Sequence, residues 1–463
     1  MLLVKINLMK LLNKQKIDYV LYHLNLFINL DELKSHFKFI SHNEIGENTF
    51  FGAIIFPLSS KSLNRDSVFF VDNIPVLFPN STKKRFYYFE NNNLIFEHDI
   101  LKSAFYLLSG YQEYESKQKD SLGRFPYNNS IQKYLGIVQK PIVNYYFEII
   151  ADAIEEFCSR NNIEFKRKKL FDNFGFMLTH DIDKVDTYNI YDFVYKFKQI
   201  FKLVKFNEPY KRVLKSNLKY IVNYLNIFSK RNPFWNFFYL QELEKKHKFK
   251  SVFYFLHKDI LHSDSYYTFN ENRIKNLINK LIVNGNEIGI HGTIKSSYDE
   301  NAMLENINKL KEVSLQKIAG VRQHRLMFEM PKTICIHEKV GLKYDTTLGF
   351  AEHDGFRNSY CLPFKLYDFE NDRMIDVWEM PLNVMDGTLF SYRKLNSEDA
   401  FNSVKKVINE VKKFNGIFTL LWHNSFFDND LYPDITLFYE NLLRYIRYEN
   451  PQNVLGKDIV KLL

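Results

Sequence analysis

The chain has 463 residues, 46% hydrophobic and 17% aromatic, with a formal charge of +9; it is too long for one small domain and fits a large α/β domain with a smaller companion. The charge is modest, comes from scattered lysines and is joined by no nucleic-acid-binding motif, so a nucleic-acid partner is not expected. No run of about 18 uncharged apolar residues suggests a membrane span, and the first ten residues are broken by Lys5 and Lys10 with no small-residue cleavage site. Cys158, Cys335 and Cys361 are odd in number and far apart, which predicts free thiols in a reducing compartment. A soluble cytoplasmic protein is expected, with membrane association open but not indicated. The 44 Phe and 30 Tyr would suit stacking on sugars, although the joint abundance of Lys, Asn, Ile, Phe and Tyr also fits compositional drift.

In chain order, residues 1–165 are expected to form a small α/β accessory domain. Strand-like runs occur at 52–57, 67–71 and 85–89, and one helix is expected over 100–114, where Leu101, Ala104, Phe105, Leu108 and Tyr111 fall at helical spacing. No metal-ligand cluster or phosphate loop occurs there, so packing or positioning is the expected role. From residue 166 to 463 the pattern alternates. Seven strands are expected at 175–179, 251–256, 287–291, 319–322, 343–348, 376–380 and 417–422. Between them lie apolar stripes at Ile274, Leu277, Ile278, Leu281 and Ile282, and at Phe401, Val404, Val407, Ile408 and Val411. Ser397, ahead of Glu398 and Asp399, is the expected cap of the second. Strands alternating with helices predict a parallel sheet, and about seven repeats predict a deformed (β/α) barrel with its chemistry at the C-terminal strand ends. One stretch, about 184–232, is dense in Lys, Tyr, Phe and Asn and has helical periodicity. It is expected as an insertion after the first barrel strand, shaping substrate access, touching a membrane surface or an anionic glycan, or serving no catalytic end.

The candidate chemistry lies at those strand ends. In Thr179-His180-Asp181-Ile182-Asp183, alternation puts Asp181 and Asp183 on one face and His180 on the other. Two carboxylates held close need a cation or a shared proton, which favours a metal site. His291 ends a second apolar run, with Gly292 leaving room for a turn or a ligand. Arg322 and His324 share a face if extended, and Arg322 suits a two-pronged grip on a carboxylate. His423 ends the run Ile417-Phe418-Thr419-Leu420-Leu421-Trp422 and suits a general acid.

The order and spacing of these segments resemble the polysaccharide deacetylase superfamily, the fourth family of carbohydrate esterases, over about residues 172–430. The carrying motifs are Thr179-His180-Asp181-Ile182-Asp183, Asn286-Glu287-Ile288-Gly289-Ile290-His291 and Leu421-Trp422-His423. A bacterial subgroup with an extra N-terminal domain is resembled through Tyr344-Asp345-Thr346-Thr347, Gly355-Phe356-Arg357, Met380-Pro381-Leu382-Asn383-Val384-Met385-Asp386 and Gly123-Arg124-Phe125. The resemblance implies metal-dependent removal of an N-acetyl group from an amino sugar or glycan precursor in bacterial surface-polysaccharide synthesis. It assigns Asp183 and His291 to a divalent metal, commonly zinc, Asp181 to the general base, Arg322 to its orientation and His423 to the general acid. The family's usual second metal histidine is replaced here by Lys295, which does not ordinarily ligate. His324 is the preferred substitute, with His353 and Ser296 behind it. Gln323 stands where many relatives have Pro, and Asn424 where many have Asp, a change expected to bear on the pKa of His423. Two other readings stay open: a catalytically degenerate barrel that binds a glycan or a biosynthetic partner, and an amidohydrolase acting on a small non-sugar C–N bond.

Overall fold

The computed structural model describes residues 12–45, 50–205, 209–226, 232–258, 264–427 and 434–463. The N-terminal third holds β1 (Phe37–Ser41), β2 (Ile54–Leu58), β3 (Phe69–Val71), β4 (Ile74–Val76), β5 (Tyr87–Glu90) and β6 (Asn93–Phe96). β1, β2, β6 and β5 make one sheet in that order, parallel except for β5, and β3 pairs with β4 as a separate hairpin. The helices Ile100–Leu108 and Ile142–Asn161 bury their apolar residues beside this sheet. The single helix expected over 100–114 is two. It stops at Ser109, and Gly110, at φ +79°, takes the left-handed conformation that glycine adopts without steric cost before a short helix resumes at Tyr111–Glu115.

The larger sheet has ten strands: β7 (Gly175–Ile182), β8 (Ser251–Leu256), β9 (Glu287–Gly292), β10 (Gly320–Gln323), β11 (Tyr344–Asp345), β12 (Phe364–Asp368), β13 (Arg373–Glu379), β14 (Val384–Met385), β15 (Ile417–Leu421) and β16 (Gln452–Asn453). Their order is 12-13-11-10-9-8-7-15-14, with β16 added alongside β7. Every pairing is parallel except that of β12 with β13. All seven expected strands are therefore present. The sheet curls into a half-barrel, and among the described residues no pairing joins its end strands β12 and β14.

Helices cover the sheet on its outer side, so its central strands are buried on both faces and read as almost unbroken apolar runs, as in β8. The helix Asn272–Val283 turns Ile274, Leu277, Ile278 and Leu281 inward at the spacing of one helical face.

Three local expectations need correction. The strand expected at 343–348 shrinks to two residues because Thr347 N–H bonds to Asp345 Oδ1 (2.5 Å) and Leu348 N–H to Glu379 Oε1 (2.8 Å) instead of joining a ladder. The helix Ser397–Lys413 is capped by Asn396, whose side chain accepts from Asp399 N–H, and not by Ser397. Gly292 leaves no room for a ligand, because a Cβ there would lie 2.2 Å from Gln323 Oε1.

The insertion contains the paired helices Ile190–Ile200 and Tyr210–Leu225, followed by a further helix, Phe237–Lys246, that leads into β8. Asn232 fastens its exit by donating to the Val185 carbonyl and accepting from Thr187 N–H. The N-terminal third and the half-barrel share one apolar core, in which Phe105, Phe147, Ile154, Tyr360, Phe364 and Tyr367 all take part.

Candidate metal and acid-base site

Parallel pairing puts the C-terminal ends of β7, β9, β10 and β15 side by side, and the ionisable residues of the sequence motifs come together there. His291 is in register with Arg322 on one side and Leu256 on the other, and Asp181 with Tyr254. His423 follows β15 by two residues, which brings it next to the end of β7. Asp181, Asp183, His291, His324 and His423 line one cavity of about 380 Å³.

His180 lies outside it. Its Nδ1 bonds to the Trp422 carbonyl and its Nε2 to Glu244 (2.7 Å each), behind the strand. Alternation along β7 therefore sends Asp181 and His180 to opposite faces of the sheet.

Two of the imidazoles that face Asp183, those of His291 and His324, are each held at Nδ1. His291 Nδ1–H donates to the Arg322 carbonyl (2.7 Å), and its Nε2 stands 3.2 Å from Asp183 Oδ1 and 3.5 Å from Asp181 Oδ2. His324 Nδ1 bonds to Asp264 Oδ1 (2.5 Å), with its Nε2 3.8 Å from Asp183 Oδ2. Each ring thus turns Nε2 towards one carboxylate while its other nitrogen is held by an oxygen, the outer-sphere pattern typical of metal-binding histidines.

Among the described residues no three His, Cys, Asp or Glu side chains are drawn together tightly enough to form a metal cluster as they stand. The donor set nevertheless fits one. Ligands on a tetrahedral zinc lie about 3.3 Å apart, close to the 3.2 Å between His291 Nε2 and Asp183 Oδ1, while His324 and His423 Nε2 each stand 3.8 Å from Asp183 Oδ2. Asp183 Oδ1 is moreover buried and faces His291 Nε2 at 3.2 Å without a well-formed hydrogen bond among the described residues, an arrangement that a cation between the two would satisfy. Burial works against charge on Asp183, but His324, His291 and His423 outweigh it and hold the carboxyl well below the usual carboxylate range. Burial likewise opposes protonation of His291, and Asp181 followed by Asp183 outweighs it and raises the pKa.

Arg322 is fully buried. Its Nη1 donates to Asp181 Oδ1 (3.0 Å) and Thr179 Oγ1 (2.8 Å), its Nε to the Thr346 carbonyl (3.1 Å), and its guanidinium lies 4.8 Å from the centre of the Tyr254 ring. A guanidinium fixed at three points holds Asp181 in one orientation.

On the far side of the cavity His423 Nδ1 bonds to Asp386 Oδ1 (2.8 Å), and Asp386 Oδ2 accepts from the His423 backbone N–H. Its Nε2 faces Asp183 Oδ2 at 3.8 Å. Burial opposes the charge on this ring, but Asp386, then Asp183 and Asp181, outweigh it and push the pKa up to about 10.

Lys295, at the usual second-histidine position, is 66% exposed in its side chain and lies 3.5 Å from Asp299, away from the cavity. His353 bonds to the Asp354 carbonyl and Ser296 to the Thr293 carbonyl, and neither lines the cavity. Asn424 does not touch His423 with its amide, which donates to the Lys184 and Phe234 carbonyls and so ties the insertion to the barrel. The neighbour that sets the charge of His423 is Asp386.

Sequence reasoning missed Asp264 and Asp386 as the carboxylates behind His324 and His423. Asp386 stood in a quoted motif, but Asp264 carried no signal in the sequence. Also missed was the wall contributed by the N-terminal third, where Leu122 and Arg124 line the cavity. Arg124 is held by Asp120 Oδ2 (2.8 Å) and by the Arg325 carbonyl (2.8 Å).

Residues 9–159 match a family model described as a family of unknown function, DUF7033. No curated protein matches. Among solved structures, the chain is similar to a putative polysaccharide deacetylase from Mycobacterium smegmatis (15% identity, 62% of this chain and 89% of that chain, TM-score 0.41). It is also similar to a carbohydrate esterase family 4 pseudoenzyme from Bacillus anthracis (8%, 62% and 66%, 0.31) and to a family 4 acetyl xylan esterase from Clostridium thermocellum in complex with a cobalt ion (10%, 62% and 91%, 0.28). Identities and TM-scores this low carry no inference about chemistry, which rests on the residues described above.

Proposed function

We propose that the chain is a metal-dependent hydrolase that removes an N-acetyl group from an amino sugar. The observation that carries this reading is one cavity in which His291, His324 and His423 turn Nε2 towards Asp183, beside a carboxylate held by Arg322 and with the His423 imidazole held by Asp386. Asp183, His291 and His324 are the residues that would hold the ion, zinc by the family resemblance. When bound, such an ion polarises a carbonyl and makes water more acidic.

The remaining roles belong to the chain. Asp181 accepts a proton from the water that adds to the acetyl carbon, and its hydrogen bond to Arg322 keeps one oxygen fixed while the other faces the reacting centre. His423 enters the reaction protonated, held so by Asp386, and gives its Nε2 proton to the departing nitrogen as the C–N bond breaks. Acetic acid and a free amine are formed, one water proton being taken by Asp181, the other staying on the acid until it ionises to acetate in solvent, and the proton on the nitrogen being given by His423. The cavity wall from Leu122, Arg124 and Tyr392 is available to position the sugar, and residues 1–165 serve as an accessory part that builds this wall.

The test is acetate release from a panel of N-acetylated amino sugars by zinc-loaded protein, alongside Asp181→Ala. The proposal expects release by the native chain and loss of it in the variant with zinc retained. A native chain that keeps zinc and releases no acetate from any sugar would contradict it and favour a glycan-binding barrel.

A further inference from the structure

The insertion carries two amphipathic helices that pack on little besides each other. None of the eleven residues of the helix Ile190–Ile200 is buried, and of the sixteen in Tyr210–Leu225 only Val213 and Asn217 are. Phe193 and Tyr224 meet with ring centres 4.6 Å apart, Lys196 Nζ lies 4.8 Å from the centre of the Tyr220 ring, and Asn217 donates to Gln199 Oε1. As the first member of each pair rises in number the second falls, so the helices are antiparallel.

Another side of each helix is apolar and bare. At 3.6 residues per turn Ile190, Val194 and Phe197 fall within about 60° of one another, and Phe201 continues their stripe past the helix end. Leu218, Val222 and Leu225 fall within a similar arc of the second helix. All seven side chains are between 42% and 64% exposed. On both helices the stripe lies roughly 100° round from the contact side in the same rotational sense, which in an antiparallel pair puts both stripes on one outer face. Contiguous exposed apolar stripes mark a contact surface, where single exposed residues do not.

The charge beside the stripes is of one sign. Lys198, Lys202, Lys205, Lys211 and Lys215 are exposed, and none meets a carboxylate among the described residues. By helical spacing Lys198 and Lys215 border the stripes on the side away from the helix contact. Asp192 is the only acidic residue in either helix, and it is paired with Lys184 at 3.0 Å. A second copy of this face would set lysine against lysine. A surface that is apolar below and anionic above suits it, because the apolar side chains enter the acyl boundary while the lysines extend to the lipid phosphates. Among the described residues no helix is long and apolar enough to cross a membrane, so the contact is with the bilayer surface.

We propose that the outer face of this helical hairpin is a docking surface for an anionic lipid bilayer. Ile190 follows Asp183 by seven residues, at most about 25 Å of chain, so docking holds the candidate metal site near the headgroups. Docking is independent of the deacetylase reading, and its test needs no turnover.

The experiment is cosedimentation of the full chain with vesicles of phosphatidylcholine containing one third phosphatidylglycerol, and with vesicles of phosphatidylcholine alone. Binding to the anionic vesicles is expected to be at least tenfold tighter and to weaken with added salt. Val194→Ser/Phe197→Ser/Phe201→Ser should lose at least tenfold in affinity, and Lys198→Gln/Lys211→Gln/Lys215→Gln should lose the preference for anionic lipid. Val283→Ser/Tyr448→Ser, which removes exposed apolar side chains elsewhere, should bind like the native chain. Urea midpoints matching the native one in all three variants would show that lost binding is not lost folding. Binding to neither vesicle, binding that survives the Val194/Phe197/Phe201 variant, or equal loss in the Val283/Tyr448 variant overturns the proposal. So does a concentration-dependent dimer that the Val194/Phe197/Phe201 variant abolishes while vesicles bind nothing, which assigns the face to a second copy of the chain.

Discussion

At the scale of single residues, the proposed chemistry depends on carboxylates that hold imidazoles. Asp386 is fully buried and bonds twice to His423, so its charge keeps the ring protonated and in place. His423→Ala is expected to lower kcat by about 10²- to 10⁴-fold, the usual worth of a general acid, with metal content unchanged. Asp386→Asn tests the linkage. Activity through a protonated His423 is lost as pH rises through its pKa, and removing the negative charge lowers that pKa. The alkaline limb of the kcat profile should therefore move to lower pH, and a limb that stays put would remove Asp386 from this role. The sequence made Asp181, Asp183, His291, Arg322 and His423 legible because each ends an apolar strand run and strand alternation fixes which side chains turn inward. It concealed Asp264 and Asp386 because they reach their partners across the sheet, 60 and 37 residues away in the chain, and no local periodicity encodes such a pairing.

At the scale of elements, the helix Lys14–Leu24 joins the N-terminal third to the edge strand β12 through His23. The ring donates from Nδ1 to the Tyr19 carbonyl (2.8 Å) and accepts at Nε2 from Lys365 N–H (3.0 Å), so both nitrogens are committed in the neutral form. Burial, with a further push from Lys365, lowers its pKa to about 3 despite the bond to Tyr19. In the unfolded chain His23 titrates near 6.5, so between about pH 6.5 and pH 3 the unfolded state binds the extra proton and stability falls as pH falls, by up to about 1.4 kcal/mol per pH unit. His23→Gln should remove that one-proton slope, measured as the difference in denaturant midpoint between the two proteins across this window. Parallel slopes would contradict it. In the larger sheet periodicity located the central parallel strands well. It missed β12, β14 and β16 there, and β1, β4 and β6 in the N-terminal third, strands of two to five residues, too short for a pattern of their own.

At the scale of the whole molecule, the N-terminal third and the half-barrel are locked by a buried ion pair. Arg357 Nε and Nη2 bond to the two oxygens of Glu113 at 2.7 and 2.6 Å, with side-chain exposures of 2% and 5%. Removing one partner strands a buried charge, so Glu113→Ala is expected to cost about 3–5 kcal/mol in urea unfolding, and Glu113→Ala/Arg357→Met to recover much of it. A loss below about 1 kcal/mol would show that water replaces the pair. The lock matters for function because the N-terminal third supplies Leu122 and Arg124 to the cavity wall. Composition separated this third from the alternating region but gave no sign of the shared core, because contacts between distant segments leave no trace in the spacing of either.

The central claim, a metal site completed by His324 in place of the residue at 295, is tested most directly by elemental mass spectrometry on zinc-loaded protein. The native chain and Lys295→Ala should each carry about one zinc per chain, and Asp183→Ala, His291→Ala and His324→Ala should carry none. A native chain without metal after loading, or a His324→Ala variant that retains it, would contradict the account.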